Sequence, residues 1–334
     1  TYEFGYKVSD VYIWKHKEEV RSGKQRVVTY AVTYEFGVSI PTSIQRTYYD
    51  RLDDYVGEKG TTNKARVIKV VEDFEAGIGQ AVSIKYIYYD ERTTNDGKKR
   101  IAQVVENRLP FGGEDFIESV QYIYREIKDT LYTKDGTVSQ KKMVTIIETY
   151  EGQFIPGKDM TGAIFIGSQW EYSIKDGDKL KSVTAYFEPG ITTPISIQYR
   201  YKGVEIRAGA NRLITTVDTY ENNILVSTQK IWKNFEQGKL VTYKENYELN
   251  TLVSIERSWR EYDSALQKVV TYTETFEGNI RTSTQKMYRD QYKGRLATII
   301  EIYELDMASP TSIQKIYYDR VNTELDGSRI VKVI

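Results

Sequence analysis

A single histidine, His16, stands in the run Trp14-Lys15-His16-Lys17. An imidazole acting as a general base needs an oriented partner within hydrogen-bond reach, and a triad or a zinc site needs further histidine or cysteine ligands. Cysteine is absent and no second histidine exists, so His16 reads as a solvated residue beside a turn. Carboxylates are plentiful, and a glycosidase pair is one chemistry open to them. Yet Glu35, Glu75, Glu151, Glu221, Glu248, Glu277 and Glu304 recur at one position of a repeated pattern. An active site is a unique constellation, whereas a repeated acid is structural. Asp176-Gly177-Asp178 lacks most ligands of a calcium loop and falls where a hairpin turn is wanted. No GxGxxG or GxxxxGK[ST] phosphate loop is present. The expectation is a protein with no enzymatic activity, no metal and no cofactor.

The other candidate chemistry belongs to the rings. Trp14, Trp170, Trp232 and Trp259 are the side chains that would stack on glycans. Base stacking needs a basic groove, and the balance of 47 Lys plus Arg against 47 Asp plus Glu supplies no such field, so nucleic acid is not an expected partner. Packing within the fold is the leading use of these rings, because they recur at a fixed position.

That position belongs to a repeat. Thr311 to Arg320 reads TSIQKIYYDR and Thr42 to Arg51 reads TSIQRTYYDR. The marker serine of this pattern is found at Ser9, Ser43, Ser83, Ser119, Ser196, Ser227, Ser254, Ser283 and Ser312, with Gly167 standing in once. Five residues after each marker comes an aromatic ring: Trp14, Tyr48, Tyr88, Tyr124, Tyr172, Tyr201, Trp232, Trp259, Tyr288 and Tyr317. Self-similarity of this kind makes one continuous array of about ten units, 1–334, from a length that would otherwise suggest two or three domains.

Each unit carries two strand-like segments. The serine segment is followed by a variable turn and then by a second segment such as Arg26 to Glu35 (RVVTYAVTYE) or Lys268 to Glu277 (KVVTYTETFE). These are β-branched and aromatic runs without helical periodicity. Period-two reading puts Val28, Tyr30, Val32 and Tyr34 on one face and Val27, Thr29, Ala31 and Thr33 on the other. In the serine strand Ile44, Arg46 and Tyr48 share a face opposed by Ser43, Gln45, Thr47 and Tyr49. Asp-Gly pairs at Asp96-Gly97, Asp135-Gly136, Asp176-Gly177 and Asp326-Gly327 supply tight distal turns. From the terminal Glu of one unit to the next marker the step is six (Glu3, Glu221, Glu248, Glu277) or eight (Glu35, Glu75, Glu188, Glu304). Even steps keep every following side chain on its own face. The fold expected is therefore all-β: about ten antiparallel hairpins in a long meander, rolled, stacked or closed.

Two loops depart from the pattern and are the first places to look for partner contacts. One is the insertion 152–166 (GQFIPGKDMTGAIFI) and the other is Pro110 to Asp115 (PFGGED). The two ends of the chain copy opposite halves of one strand: Thr1 to Gly5 (TYEFG) repeats Thr33 to Gly37, and Arg329 to Ile334 (RIVKVI) resembles Arg66 to Val71. A strand split in this way is expected to be completed by ring closure, by head-to-tail joining of copies, or by a longer repeat from which the chain is taken. Tyr2, Glu3, Phe4, Ile330, Val331, Val333 and Ile334 are its candidate assembly residues.

Twenty-nine tyrosines, 23 glycines and a hydrophobic fraction of 40% imply a thin core or amphipathic rings. The Lys, Glu, Ile, Val and Tyr content fits a thermophile's ion-paired surface. No run of about 18 apolar residues exists to cross a membrane as a helix. A porin-like barrel would need an unbroken apolar outer band, which Arg46, Lys230, Glu274 and Lys315 interrupt. The stretch Tyr288-Arg289-Asp290 with Gly294-Arg295-Leu296 resembles the tyrosine-aspartate repeats of large bacterial shell-forming toxins, although most units lack the Gly-Arg-Leu element and the period is longer. The functional expectation is a self-assembling subunit of an extracellular filament, tube or sheath, joined through its split strand to copies of itself. The alternative is a monomeric carbohydrate-binding or adhesive repeat, propeller-like, on a cell surface.

Overall fold

The computed structural model describes residues 2–3, 6–7, 9–35, 38–51, 67–75, 78–111, 114–151, 164–176, 179–292, 295–305, 307–323 and 327–333. Among these residues every regular element is a β-strand. A short ladder pairs β1 (Tyr2–Glu3) with β2 (Tyr6–Lys7). The large sheet begins with β3 (Ser9–Glu19), β4 (Gln25–Glu35), β5 (Ser43–Arg51), β6 (Val67–Phe74), β7 (Ser83–Thr93), β8 (Lys99–Phe111), β9 (Glu114–Thr133) and β10 (Gly136–Glu151). It goes on through β11 (Ile164–Asp176), β12 (Lys179–Phe187), β13 (Ser196–Arg207), β14 (Ala210–Glu221), β15 (Ile224–Glu236) and β16 (Lys239–Glu248). The last members are β17 (Thr251–Asp263), β18 (Lys268–Glu277), β19 (Ile280–Tyr292), β20 (Arg295–Glu304), β21 (Ser312–Thr323) and β22 (Gly327–Val333). Each pairs antiparallel with its neighbours in sequence, as an antiparallel meander requires, and the order of hydrogen-bonded neighbours passes from β22 on to β3.

One register runs through the sheet. Seven marker serines stand opposite the residue two before the preceding terminal Glu: Thr33 and Ser43, Asp73 and Ser83, Tyr186 and Ser196, Thr219 and Ser227, Asn246 and Ser254, Thr275 and Ser283, Ile302 and Ser312. Two turn types deliver it. Steps of eight close with two backbone bonds, as in Val38 N–H to Glu35 O (3.1 Å) and Thr42 N–H to Thr33 O (2.8 Å), repeated at Glu75, Glu188 and Glu304. Steps of six use a two-residue turn with left-handed residues, such as Asn222 (φ 49°) with Asn223 (φ 64°) and Leu249 (φ 45°) with Asn250 (φ 67°). That turn alone would miss the register by one residue, and a β-bulge next to it, between Thr219 and Tyr220 or Asn246 and Tyr247, restores it. This is why the even steps predicted from the sequence leave one face on one side.

Gly167 keeps the same place opposite Thr149. A Cβ there would lie 2.7 Å from the carbonyl oxygen of Phe187, and its φ is 153°. A backbone approach this close leaves no room for the marker serine's Cβ, and glycine stands there instead.

Opposite residues of paired strands point to the same side, so the ring face can be followed around the sheet. Tyr48 faces Val70, which faces Tyr86; Tyr88 faces Val104, then Tyr122; Tyr124 faces Ile146, then Trp170. The buried apolar cluster lies on this face and includes Val28, Tyr48, Ile68, Val70, Ile84, Tyr86, Val104, Tyr124 and Val183. The sequence offered no cleanly apolar face. The ring face becomes a core because the distal hairpin tips fold over it: Val20 and Leu131, both from tips, are buried in the cluster. The opposite face carries Thr29, Thr47, Thr145, Thr219 and Thr271, and at its distal side the exposed Val27, Tyr49, Tyr89 and Ile101.

Candidate functional site

The ring face is organised by carboxylates that sit three residues before the terminal Glu in six of the second strands, whereas those ending at Glu35 and Glu188 carry Val32 and Ala185. Glu72, Glu148, Asp218, Glu245, Glu274 and Glu301 hold this position. Ladder rings donate to most of them: Tyr48 to Glu72 (3.2 Å), Tyr124 to Glu148 (2.9 Å), Tyr201 to Asp218 (3.1 Å), Trp232 Nε1 to Glu245 (3.2 Å) and Tyr288 to Glu301 (2.9 Å). Tyr88 finds Glu106 at 2.7 Å in the unit whose second strand ends differently. A second ring, two residues on, donates from the other side: Tyr150 to Glu148 (2.8 Å), Tyr247 to Glu245 (2.7 Å) and Tyr303 to Glu301 (2.7 Å). Burial, with the facing carboxylate second, pushes the Tyr88, Tyr124 and Tyr288 phenols well above the ordinary tyrosine range and Tyr201 up to about 12.

Hairpin tips tie themselves to the same acids one unit on. Arg21 lies 3.7 Å from Glu72, the Asn95 N–H donates to Glu148 at 3.1 Å, and Arg207 Nε donates to Glu245 at 2.9 Å. In the unit after next to the longest hairpin, Lys134 N–H donates to the Tyr199 hydroxyl at 2.6 Å. Hydrogen bonds to charged groups contribute roughly 1.5–3 kcal/mol each, so these acids clamp two strands and a tip together. Asp218 is met by Tyr201 and the Thr228 hydroxyl, Glu274 by Arg257 and Arg281, and Glu301 by Tyr288 and Tyr303.

The tryptophans are engaged in the same way. Trp14 stacks on Tyr30 (5.2 Å, 5° between planes), Trp232 on Tyr243 (4.1 Å, 5°) and Trp259 on Tyr272 (5.5 Å, 9°). Trp170 packs against Phe187 at 4.9 Å, with Lys128 Nζ 4.7 Å from its ring centre. Among the ladder rings, Tyr317 meets Tyr292 at 5.4 Å, and Tyr172 donates to the Tyr132 carbonyl. His16 is exposed on β3 opposite Val28.

The candidate assembly residues are placed on separate ladders. Tyr2 and Glu3 pair with Lys7 and Tyr6, whereas Ile330, Val331 and Val333 pair with Arg320, Asp319 and Tyr317; Phe4 and Ile334 lie outside the described residues. Of the insertion 152–166, residues 152–163 lie outside them as well, and Ile164 to Ile166 open β11. In the Pro110 to Asp115 loop, Pro110 pairs with Asp115 and Phe111 with Glu114, with residues 112–113 outside the described set.

One cleft joins parts of the chain that the sequence did not connect. It is about 270 Å³ and is lined by Glu75 and Thr42 from the first units and by Arg260, Thr271, Met287 and Arg289 from the later ones. Arg260 Nη1 donates to Glu35 at 3.1 Å, across 225 residues of sequence, and Arg289 Nη1 lies 3.4 Å from Glu75. These four residues are all on the threonine face, as the pairings of Arg260 with Thr271, Arg289 with Thr298 and Ser9 with Glu35 show. Strands β4 and β17 are not paired neighbours, so this contact lies outside the ladders of the sheet. No spacing rule in the sequence relates these arginines to these glutamates.

Among the described residues, no helix is long and apolar enough to cross a membrane. No protein-family profile matches the chain, and no curated protein matches it.

Proposed function

We propose that the protein is a non-enzymatic structural subunit working outside the cell or at its surface, and that its hairpin array is closed upon itself as a barrel-like body. The observation carrying this reading is a uniform stagger. Tyr48 leads through Val70 to Tyr86, two residues before the next ladder ring, Tyr88; Trp232 leads through Tyr243 to Arg257, two before Trp259; Tyr288 leads through Ile299 to Lys315, two before Tyr317. Every hairpin thus shifts the register by two residues in one sense. With a rise of about 3.3 Å per residue and about 4.8 Å between strands, that stagger corresponds to a strand tilt of about 35°, within the range barrels adopt. The neighbour order from β22 to β3 and the ion pairs of Glu35 with Arg260 and Glu75 with Arg289 support the same closure.

A structural role follows from how the polar chemistry is used. Acids, rings and cations recur unit by unit and satisfy one another, which favours a rigid building block over a reaction centre. Closure in cis removes the free sheet edge of β22, so assembly proceeds by contact between bodies and not by strand exchange. The test is negative-stain microscopy with light scattering on the purified protein at physiological salt, with and without residues 1–5. Ordered arrays of compact particles, unaffected by the deletion, are expected. Polymers that vanish with residues 1–5 would favour strand exchange between copies. Isolated particles under all conditions would leave the monomeric adhesive or glycan-binding reading.

A further inference from the structure

The geometry points to the cleft between the first and later units as a binding site for an anionic oxygen group, a carboxylate or sulfate carried by a small polar ligand such as an acidic sugar. The argument begins with unused donors. Each guanidinium offers five N–H groups in a planar fork that matches carboxylate or sulfate oxygens. Among the described residues Arg260 makes one hydrogen bond, from Nη1 to Glu35. Arg289 makes none, its Nη1 is buried without a hydrogen-bond partner, and its contact with Glu75 is an ion pair at 3.4 Å. Both arginines line a cleft of about 270 Å³, and among the described residues they make one hydrogen bond between them, that of Arg260 to Glu35.

The surroundings suit a ligand with an anionic head and a hydroxylated body. Arg260 pairs with Thr271, Thr271 with Met287, and Arg289 with Thr298, so the two guanidinium-bearing positions lie two strands and two residues apart, about 12 Å at ordinary strand geometry, with Thr271 and Met287 beside them. Threonine hydroxyls can bond sugar hydroxyls, and Met287 and Val269 offer apolar contact. Lys268, on the same wall, is taken by Asp290. Glu35 holds the Arg260 fork and Glu75, which lines the cleft, holds the Arg289 fork, so an incoming anion competes with one acid at each arginine.

The site rests on the closure reading in one respect, since Glu75 and the arginines meet only across a curled sheet. Calorimetric titration with glucuronate, inorganic sulfate and glucose, on the wild type and on Arg260→Gln, Arg289→Gln, Arg289→Lys and Glu75→Gln, tests it. Light scattering and thermal melts on the same samples report closure and folding separately. Expected are binding of glucuronate and sulfate without glucose, at least tenfold weaker binding in both glutamine variants, weaker binding in Arg289→Lys because the fork is lost, and tighter binding in Glu75→Gln because the competing acid is gone. Sulfate binding without glucuronate would support the anion site and narrow it to compact oxyanions. Glucose binding as strong as glucuronate, anion binding unchanged in folded arginine variants, or no binding to a folded, closed wild type would overturn the proposal.

Discussion

The phenol of Tyr124 donates to Glu148 at 2.9 Å, and Glu148, only 3% exposed, collects two further donors, the Tyr150 hydroxyl and the backbone N–H of Asn95. Three elements meet on one carboxylate: the serine strand, its partner and the tip of the preceding hairpin. The first prediction concerns this junction. Glu148→Ala strands the buried Tyr124 phenol and removes the partner of the half-buried Tyr150 and of the exposed Asn95 N–H, and should cost about 2–4 kcal/mol; Tyr124→Phe should cost about 1–3 kcal/mol, because the carboxylate keeps two partners. Urea denaturation of both singles and the double variant should give a coupling energy of about 0.5–3 kcal/mol. Additive losses would show that the bond is incidental.

The second prediction runs against the repeat itself. Gly167→Ser restores the residue that nine other units carry at this position. The carbonyl of Phe187, 2.7 Å from the new Cβ, and a φ of 153° make the restoration unfavourable, by about 1–3 kcal/mol. Ser254→Gly, at a marker on a regular strand, should cost about 0.5–1 kcal/mol from chain entropy alone. A thermal melt of the two variants checks the order, and a stabilising Gly167→Ser would refute the steric account.

Most of the fold was legible because it depends on local parity. Steps of six and eight both keep side chains in phase, and the paired registers of Thr33 with Ser43 and Thr219 with Ser227 express this directly. The bulges that correct the shorter turns were not legible, since a bulge is set by turn twist; the extra residue between the pairs Tyr220 with Leu225 and Thr219 with Ser227 is an ordinary strand valine, Val226. The terminal glutamates drew attention in the sequence, yet Glu72, Glu148 and Glu245, three residues earlier, are the ones that bind rings and tips. They were hidden because a period-two reading assigns a face without showing that hairpin tips cover it. The meeting of Arg260 with Glu35 joins residues 225 apart on strands that do not pair, a contact that no local spacing encodes.

The third prediction is a pH dependence with a definite sign. Tyr201, Tyr243, Tyr247, Tyr272 and Tyr303 are each pushed up to about 12, first by burial and then by the facing Asp218, Glu236, Glu245, Asp263 and Glu301. A folded-state pKa above the unfolded value of about 10 means that the unfolded chain releases protons first. The stability these phenols contribute is thus complete below pH of about 10 and is lost as pH rises from there towards about 12. Circular dichroism and tyrosinate absorbance followed together should change cooperatively in that window. Gradual phenol ionisation near pH of about 10 with an intact β spectrum would contradict the clamp between rings and acids.

The last prediction separates packing rings from surface rings. Trp232 is 7% exposed, stacked on Tyr243 and hydrogen-bonded to Glu245, whereas Trp14 is 47% exposed although it stacks on Tyr30 with the same small interplanar angle. Stacking geometry alone would rank them together; burial ranks them apart. Trp232→Ala removes a filled core position and leaves a buried acceptor short of one donor, at a cost of about 3–5 kcal/mol. Trp14→Ala loses the aromatic pair and part of a surface contact, about 1 kcal/mol. If the two variants melt at the same temperature, the ring face is not a core at Trp232. A folded Trp232→Ala variant that lost glycan binding measured for the wild type would instead make that ring a recognition element.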